Sequence, residues 1–445
     1  GSDGEITLLE ADGSTAWQVE LDQVVTAALL ADLDGDGRLE VLLGSRRGVT
    51  ALDSTGQTRW FYRTAYPVQA LAAGQSAQEL SPGLLAATEY EHVYRLSRDG
   101  KLVWHYTPAS QGFGGRVTGL AAGDLDADGR TEVALGFDFP GYKVLPPGGH
   151  ILILDHDGAE IHRRREPSAV VSITTVDVDG WGRRLIVAGT AAGDLLVLFG
   201  EGAVRWQRSL GSPIVAVLGA DVDDDGRDEI TAVAENTILT LEEDGSVLWQ
   251  SAQPLPAVGA AYGEVEGSAG RLLAVLTWQA ALHRATVELL DMRGTRVESY
   301  LLPRAADDGA GPQGAGVCLA DLNRDGWSEL VVASADSVDL LARARGAAQA
   351  RLAWRFRARA AVAGLHSDED SGGGTRIAVS AEDGNLYVLE QDGSLAWRYS
   401  APGPAQSLAS GDLDGDGSNE LLLAYNAPAA SDGAIHSGVT ALRQD

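Results

Sequence analysis

Five short stretches of the chain carry acidic side chains at a spacing suited to holding a hard cation. Each reads D-x-D/N-x-D-G-x-x-E. The first holds Asp32, Asp34, Asp36, Gly37 and Glu40, and the second Asp124, Asp126, Asp128, Gly129 and Glu132. The third holds Asp221, Asp223, Asp225, Gly226 and Glu229. The fourth holds Asp321, Asn323, Asp325, Gly326 and Glu329, and the fifth Asp412, Asp414, Asp416, Gly417 and Glu420. Side chains at positions 1, 3 and 5 of a tight loop converge on one side. Glycine at position 6 permits the sharp bend, and glutamate at position 9 closes the shell. The carbonyl at position 7, from Arg38, Arg130, Arg227, Trp327 or Ser418, can point inward. Calcium accepts about six to eight such oxygens, whereas magnesium prefers a smaller, wetter octahedron. The pattern predicts about five Ca²⁺ sites. An EF-hand shares the first six positions but needs glutamate at position 12 and flanking helices. Position 12 here is Leu43, Leu135, Ala232, Val332 or Leu423, apolar in every case, so the EF-hand reading fails.

A recurring four-stranded phrase must position these loops. An apolar strand a runs into the acidic turn and out along strand b. Strand c follows, then a turn ending in Asp-Gly or similar, then strand d carrying tryptophan. Residues 117–166 show the whole unit, with a at 117–122, b at 132–136, c at 150–154 and d after Asp157 and Gly158. The c–d phrase recurs as LLEADGSTAW to Trp17, ALDSTGQTRW to Trp60, RLSRDGKLVW to Trp104, LFGEGAVRW to Trp206, LEEDGSVLW to Trp249 and LEQDGSLAW to Trp397. Asp-Gly between alternating runs is a strong hairpin signal. A tryptophan recurring at one structural position is expected to pack between neighbouring sheets. No helical periodicity of useful length interrupts the pattern.

The a–b turns begin near Asp32, Gln75, Asp124, Asp177, Asp221, Glu264, Asp321, Asp368 and Asp412, which is propeller-blade spacing. The first segment supplies only strands c and d, and the last begins with a and b. The fold expected is therefore all-β: a single closed β-propeller over residues 1–445. Unit count gives nine blades, the N-terminal strands completing the C-terminal one. Eight blades with a surplus hairpin is the alternative, because about four to eight is the common range and residues 438–442 read as an extra c-like strand. Intact and decayed acidic turns alternate strictly, which suggests an ancestral unit of two blades. Helical layers in the structure would refute this expectation.

The formal net charge of −29 turns nucleic acid and anionic membranes away as partners. Nineteen carboxylates sit at the loop ligand positions, so much of the acidity is local site chemistry. Cys318 is the single cysteine, which excludes an intrachain disulfide, and its apolar run reads as buried. No apolar run approaches the roughly 18 residues of a membrane span. No signal peptide is visible, and the chain opens at Gly1 inside a repeat, as a mature or excised segment would.

The loops resemble those of FG-GAP or VCBS repeats, as in the integrin alpha-subunit propeller. By that resemblance Asp32, Asp34, Asp36, Glu40 and their counterparts bind Ca²⁺ on the a–b turns. The c–d phrases look like the Trp-bearing repeats of quinoprotein propellers, although one cysteine cannot make the vicinal disulfide beside which quinoprotein dehydrogenases hold their quinone. The function expected is a non-enzymatic, extracellular, cell-surface or periplasmic calcium-binding propeller for binding or adhesion, with the calcium structural. An unknown protein or glycan ligand is expected on the face opposite the calcium loops. Three insertions fall there, at 138–149, 303–316 and 426–437, and Phe139, Tyr142, Lys143 and His436 are the candidate contacts. The alternative is an enzyme like rhamnogalacturonan lyase, a calcium-bearing propeller with similar loops. The eight histidines, however, form no metal or triad spacing. The run from His162 to Arg165 reads as a solvated strand edge.

Overall fold

The b and c strands are apolar almost throughout, as in Glu40–Ser45 and Gly48–Leu52, and are buried along their whole length. A strand buried on both faces loses the polar alternation of a surface strand. The d strands keep that alternation, as in Thr58–Arg63. The computed structural model describes residues 3–427 except 22, 75–82, 109–114, 142–145, 178–183, 224, 254–255, 265–270, 280–283, 303–315, 324–326, 335, 343–350, 370–374, 404 and 417. They form nine four-stranded antiparallel sheets arranged as the blades of a β-propeller. Among the described residues there is no α-helix, and a 3₁₀ turn at Glu89–Glu91 is the longest helical piece. No helix there is long and apolar enough to cross a membrane.

Eight blades run a-b-c-d in chain order. The ninth joins both ends of the chain: a is Ala405–Gly411, b is Glu420–Ala427, c is Asp3–Leu9 and d is Thr15–Leu21. Strands b and c of this blade pair antiparallel, with Ile6 opposite Ala424 and Leu8 opposite Leu422. Nine is therefore the count, and the N-terminal strands complete the C-terminal blade. The surplus strand expected at 438–442 lies outside the described residues.

Nine apolar clusters fill the nine gaps between successive blades, the gap between ninth and first included. Two-residue periodicity divides each central strand between two gaps. In the first blade Val41 and Leu43 pack toward the ninth blade, and Leu42 packs toward the second. The a strands of neighbouring blades touch one another and so lie innermost. They are rich in alanine, glycine and threonine, as in Arg116–Gly123, because little room is left near the axis. Cys318 sits on one of them, Gly316–Ala320, half-buried rather than enclosed as its apolar run suggested.

The tryptophans join the blades at the rim. Trp17 donates its indole N–H to the Ser54 carbonyl at 2.8 Å, Trp60 to Arg98 at 2.8 Å and Trp104 to His156 at 2.8 Å. Trp206 donates to Glu243 at 3.0 Å, Trp354 to Gln391 at 2.7 Å and Trp397 to Ala11 at 3.0 Å. Each acceptor lies on the c–d turn of the following blade. Glycine in that turn has positive φ and no room for a side chain. A Cβ on Gly56 would fall 2.7 Å from the Trp17 ring, and one on Gly100 2.4 Å from Trp60. In the third blade His162 takes the tryptophan's place, against Gly202.

Trp397 tests this joint. Trp397→Phe removes one indole hydrogen bond and should cost about 1 kcal/mol. The Ala11 carbonyl keeps the guanidinium of Arg376 at 2.7 Å and is not orphaned. Trp397→Ala should cost about 3 kcal/mol by also emptying the rim between the eighth and ninth blades. Denaturant unfolding of both variants measures the two losses.

Candidate metal centre

All five acidic loops sit on a–b turns, of the first, third, fifth, seventh and ninth blades, and so on one face of the ring. The residue at position 2 anchors each loop. Leu33, Leu125, Val222, Leu322 and Leu413 are all buried. Leu33, Leu125 and Leu322 enter the core toward the following blade, and Leu413 enters the core shared with the first. Their backbone N–H groups all have the same partner, Oε2 of the position-9 glutamate. Leu33 donates to Glu40 at 2.8 Å, Leu125 to Glu132 at 2.8 Å and Val222 to Glu229 at 2.7 Å. Leu322 donates to Glu329 at 2.9 Å and Leu413 to Glu420 at 2.8 Å. One carboxylate oxygen thus ties the loop to the core, and the other is left for the loop interior.

The aspartates fold the loop around that interior. Asp32 accepts from Gly35 N–H at 2.7 Å and Gly37 N–H at 3.0 Å. Asp124 accepts from Asp128 and Gly129, and Asp221 from Asp225 and Gly226, at 2.9 to 3.1 Å. Asp412 accepts from Gly415 at 2.7 Å. The position-5 carboxylates of Asp36, Asp128, Asp225 and Asp416 accept the N–H of Arg38, Arg130, Arg227 and Ser418. Carboxylate oxygens of Asp32, Asp34 and Asp36 lie within 4.8 Å of one another. So do those of Asp124, Asp126 and Glu132, of Asp221, Asp223 and Asp225, and of Asp412, Asp414 and Glu420. Two oxygens bound to one calcium at about 2.4 Å each can be no further apart than about 4.8 Å, so the sets fit such an ion. Oε1 of Glu132 and of Glu420 is buried without a hydrogen-bond partner, a costly state that a cation in the loop would relieve. In the seventh blade Asn323 donates to Glu329 Oε1 at 2.7 Å; Trp327 is half-buried, and Asp325 lies outside the described residues.

Burial, reinforced by the neighbouring aspartates, pushes the carboxyls of Glu132, Glu229 and Glu420 up to about 7, although each accepts a backbone N–H. Glu40 is raised by the same burial, offset in part by Arg59. Arg59 lies outside the D-x-D motif. Its guanidinium donates to Asp34 Oδ2 at 2.6 Å and to Glu40 Oε1, and holds the Asp34 carboxyl below its ordinary value. The c–d turns add further acids that the loop motif does not contain. Burial and then Asp414 raise Glu10, and burial and then Asp223 raise Glu242. Asp155 and His156 come within 4.8 Å of Glu132. A signal existed for them, an acid three residues before the turn glycine, but Asp291 and Glu390 show the same spacing beside decayed loops.

Of the decayed turns, 75–79, 178–182, 265–269 and 370–372 lie outside the described residues, while their first residues, Gly74, Asp177, Glu264 and Asp368, end or lie near the end of the a strands. Tyr142, Lys143 and His436 also lie outside the described residues. Phe139, expected as a ligand contact, is 2 % exposed. It ends strand b of the third blade and packs edge-on against His150, as an apolar ring does when a neighbour covers it. The arginines after His162 are consumed by partners: Arg163 by Glu91 and Tyr106, Arg164 by Glu166, and Arg165 by the Pro146 carbonyl. On the face opposite the acidic loops, His92 Nδ1 and His105 Nε2 meet at 2.9 Å, a pairing the sequence did not reveal. On the same face a cavity of 490 Å³ is lined by Thr26, Arg46, Pro67, Val68, Gln69, Glu89, Arg116 and Val117.

Two family models match parts of the chain. The lambda-carrageenase beta-propeller domain matches residues 2–105. The outer membrane protein assembly factor BamB, a PQQ-like propeller repeat, matches residues 84–224. No curated protein matches the chain. Among solved structures, the V. cholerae biofilm matrix protein Bap1 superposes with a TM-score of 0.51 at 14 % identity, over 92 % of this chain and 89 % of that one. BamB from Moraxella catarrhalis gives 0.48 at 17 %, over 79 % and 97 %. Bacillus licheniformis rhamnogalacturonan lyase gives 0.48 at 14 %, over 95 % and 75 %. The likeness to Bap1, at this identity, is one of fold alone. The BamB match falls on Trp-bearing repeats, as the quinoprotein-like phrases led one to expect.

The raised glutamates set the pH response of metal-free protein. Between pH 4.5 and about 7 the native state binds more protons at these sites than the unfolded chain does, so their contribution falls as pH rises. In chelator the thermal midpoint should drop between about pH 5 and pH 8, and Glu132→Gln should flatten part of that slope. A melting series across that range checks it.

Proposed function

We propose that the protein is a non-enzymatic binding propeller, outside the cytoplasm, whose acidic loops hold structural Ca²⁺. The observation that carries this reading is the fivefold repeat of one arrangement, a buried glutamate gripping the N–H of the position-2 residue, and in the third and ninth blades that glutamate also offers an oxygen within 4.8 Å of two loop aspartates. Asp32, Asp34, Asp36 and Glu40, and the matching residues of the other four loops, are the proposed ligands. Their chemistry supports the FG-GAP/VCBS resemblance. Calcium supplies the positive charge that the clustered carboxylates lack. Weak extracellular sites suit millimolar external calcium. Ligand binding, to a glycan or a protein, belongs on the opposite face, where the cavity between Arg46 and Arg116 provides a recess of mixed apolar and charged lining.

An enzymatic reading draws on one observation, the match of residues 2–105 to the lambda-carrageenase beta-propeller domain. Turnover assays on acidic polysaccharides decide between the two, and chain cleavage would establish the enzyme.

Calcium bound only to the folded state stabilises it by mass action, about 2.7 kcal/mol per site at a hundredfold excess over the dissociation constant. Asp126→Ala should therefore lower thermal stability in calcium and shrink the shift that a chelator causes. A glycan and protein array probed with and without calcium completes the test. Binding found there should survive chelation wherever the protein stays folded. An unchanged midpoint with abolished binding would move calcium from the scaffold to the binding site.

A further inference from the structure

Strict alternation of intact and decayed loops cannot be kept around a ring of nine. At one joint two intact loops must be neighbours, and that joint lies between the ninth blade and the first. Strand a of the ninth blade, Ala405–Gly411, packs directly on strand a of the first, Val25–Ala31. A methyl on Gly415 of the ninth loop would stand 3.7 Å from Arg38 Nε of the first. Seven aspartate and glutamate ligands besides Glu40 are thus gathered at one seam: Asp32, Asp34 and Asp36, and Asp412, Asp414, Asp416 and Glu420.

A protein cation enters one loop at this seam. Arg59, on strand d of the first blade, bridges Asp34 and Glu40, the ligands at positions 3 and 9. The same strand position, one residue before the tryptophan or its histidine substitute, carries no charge beside any other intact loop. It is Ala16 in the ninth blade, Ile161 in the third, Leu248 in the fifth and Ala353 in the seventh. The second oxygen of the position-9 glutamate accordingly meets a guanidinium in the first loop. It meets the neutral Asn323 amide in the seventh blade, and it is buried without a partner in the third and ninth.

We infer that Arg59 is a tethered cation that competes with calcium at the first loop. The inference rests on the calcium reading of the loops. Two ligand oxygens of the first loop are engaged by N–H donors, and a positive charge stands where the ion's own charge would be. Calcium must displace the guanidinium before it can use them. Losing charge-assisted hydrogen bonds of this kind weakens binding by about ten- to a hundredfold. The chain then fills its other four loops first, and the crowded seam carries one ion and one arginine instead of two ions. Arg59 is 37 % exposed, so it can swing into solvent without disturbing the core.

Counting calcium in the full chain by native mass spectrometry and calorimetric titration tests this, with Arg59→Leu copying the residue of the fifth blade. The native chain should show four tight sites, with a fifth event only at higher calcium. Arg59→Leu should show five tight sites, a lower thermal midpoint in chelator and a larger calcium-induced rise. Arg59→Lys keeps the charge but not the two-pronged contact, and should bind at the first loop with intermediate affinity; it carries the comparison if the leucine variant folds poorly without metal. Five equal sites in both proteins, or four in both, would overturn the role of Arg59 while leaving calcium binding intact. No calcium in either protein would overturn the calcium reading itself.

Discussion

No blade of this protein can bury its own faces. Strands b and c are apolar on both sides, and each side becomes dry only when another blade covers it. A row of such blades would leave two wet ends. The pairing of Asp3–Leu9 with Glu420–Ala427 removes both ends at once, by making one blade from the two termini of the chain. The small residues of the a strands and the tryptophan joints at the rim follow from the same constraint. Inner strands must approach closely, and outer strands must be held where the blades splay apart.

The acidic loops draw their order from this packing. A turn holding four carboxylates would repel itself, yet position 2 lies in the inter-blade core and fixes one end of the loop. The position-9 glutamate reads that fixed backbone through its N–H bond and is drawn under cover by it. Burial then makes the carboxyl an uneasy anion, which is why three of the five titrate near neutrality. Fold and site are thus coupled through a single hydrogen bond per loop. Whatever neutralises the loop interior also steadies the contact between blades.

The two faces differ in build. The acidic face is repeated and regular, built from one motif. The opposite face is irregular, with Tyr90 and Glu91 held at φ values of 62° and 63°, a strained geometry for side chains other than glycine. That strain seats the Glu91 carboxylate in the interior, where it meets Arg163 and His150. Irregularity of this kind is where a propeller departs from its repeat.

The repeat spacing, the Asp-Gly turns and the D-x-D-x-D-G pattern are local properties, and a chain states them outright. They were enough for nine four-stranded units, for the blade shared between the termini and for the packing of the tryptophans between sheets. Each depends on periodicity or on the stereochemistry of a few adjacent residues. What the chain could not state are contacts between residues far apart in sequence. Arg59 reads as one more charge on an alternating strand, until strand d is folded over the a–b turn. Phe139 reads as a loop aromatic, until the end of strand b is seen to be covered. His92 and His105 meet only because antiparallel pairing brings strands c and d side by side. Sequence fixes what repeats, because a repeat is local, whereas the exceptions to it arise where distant positions are forced into contact.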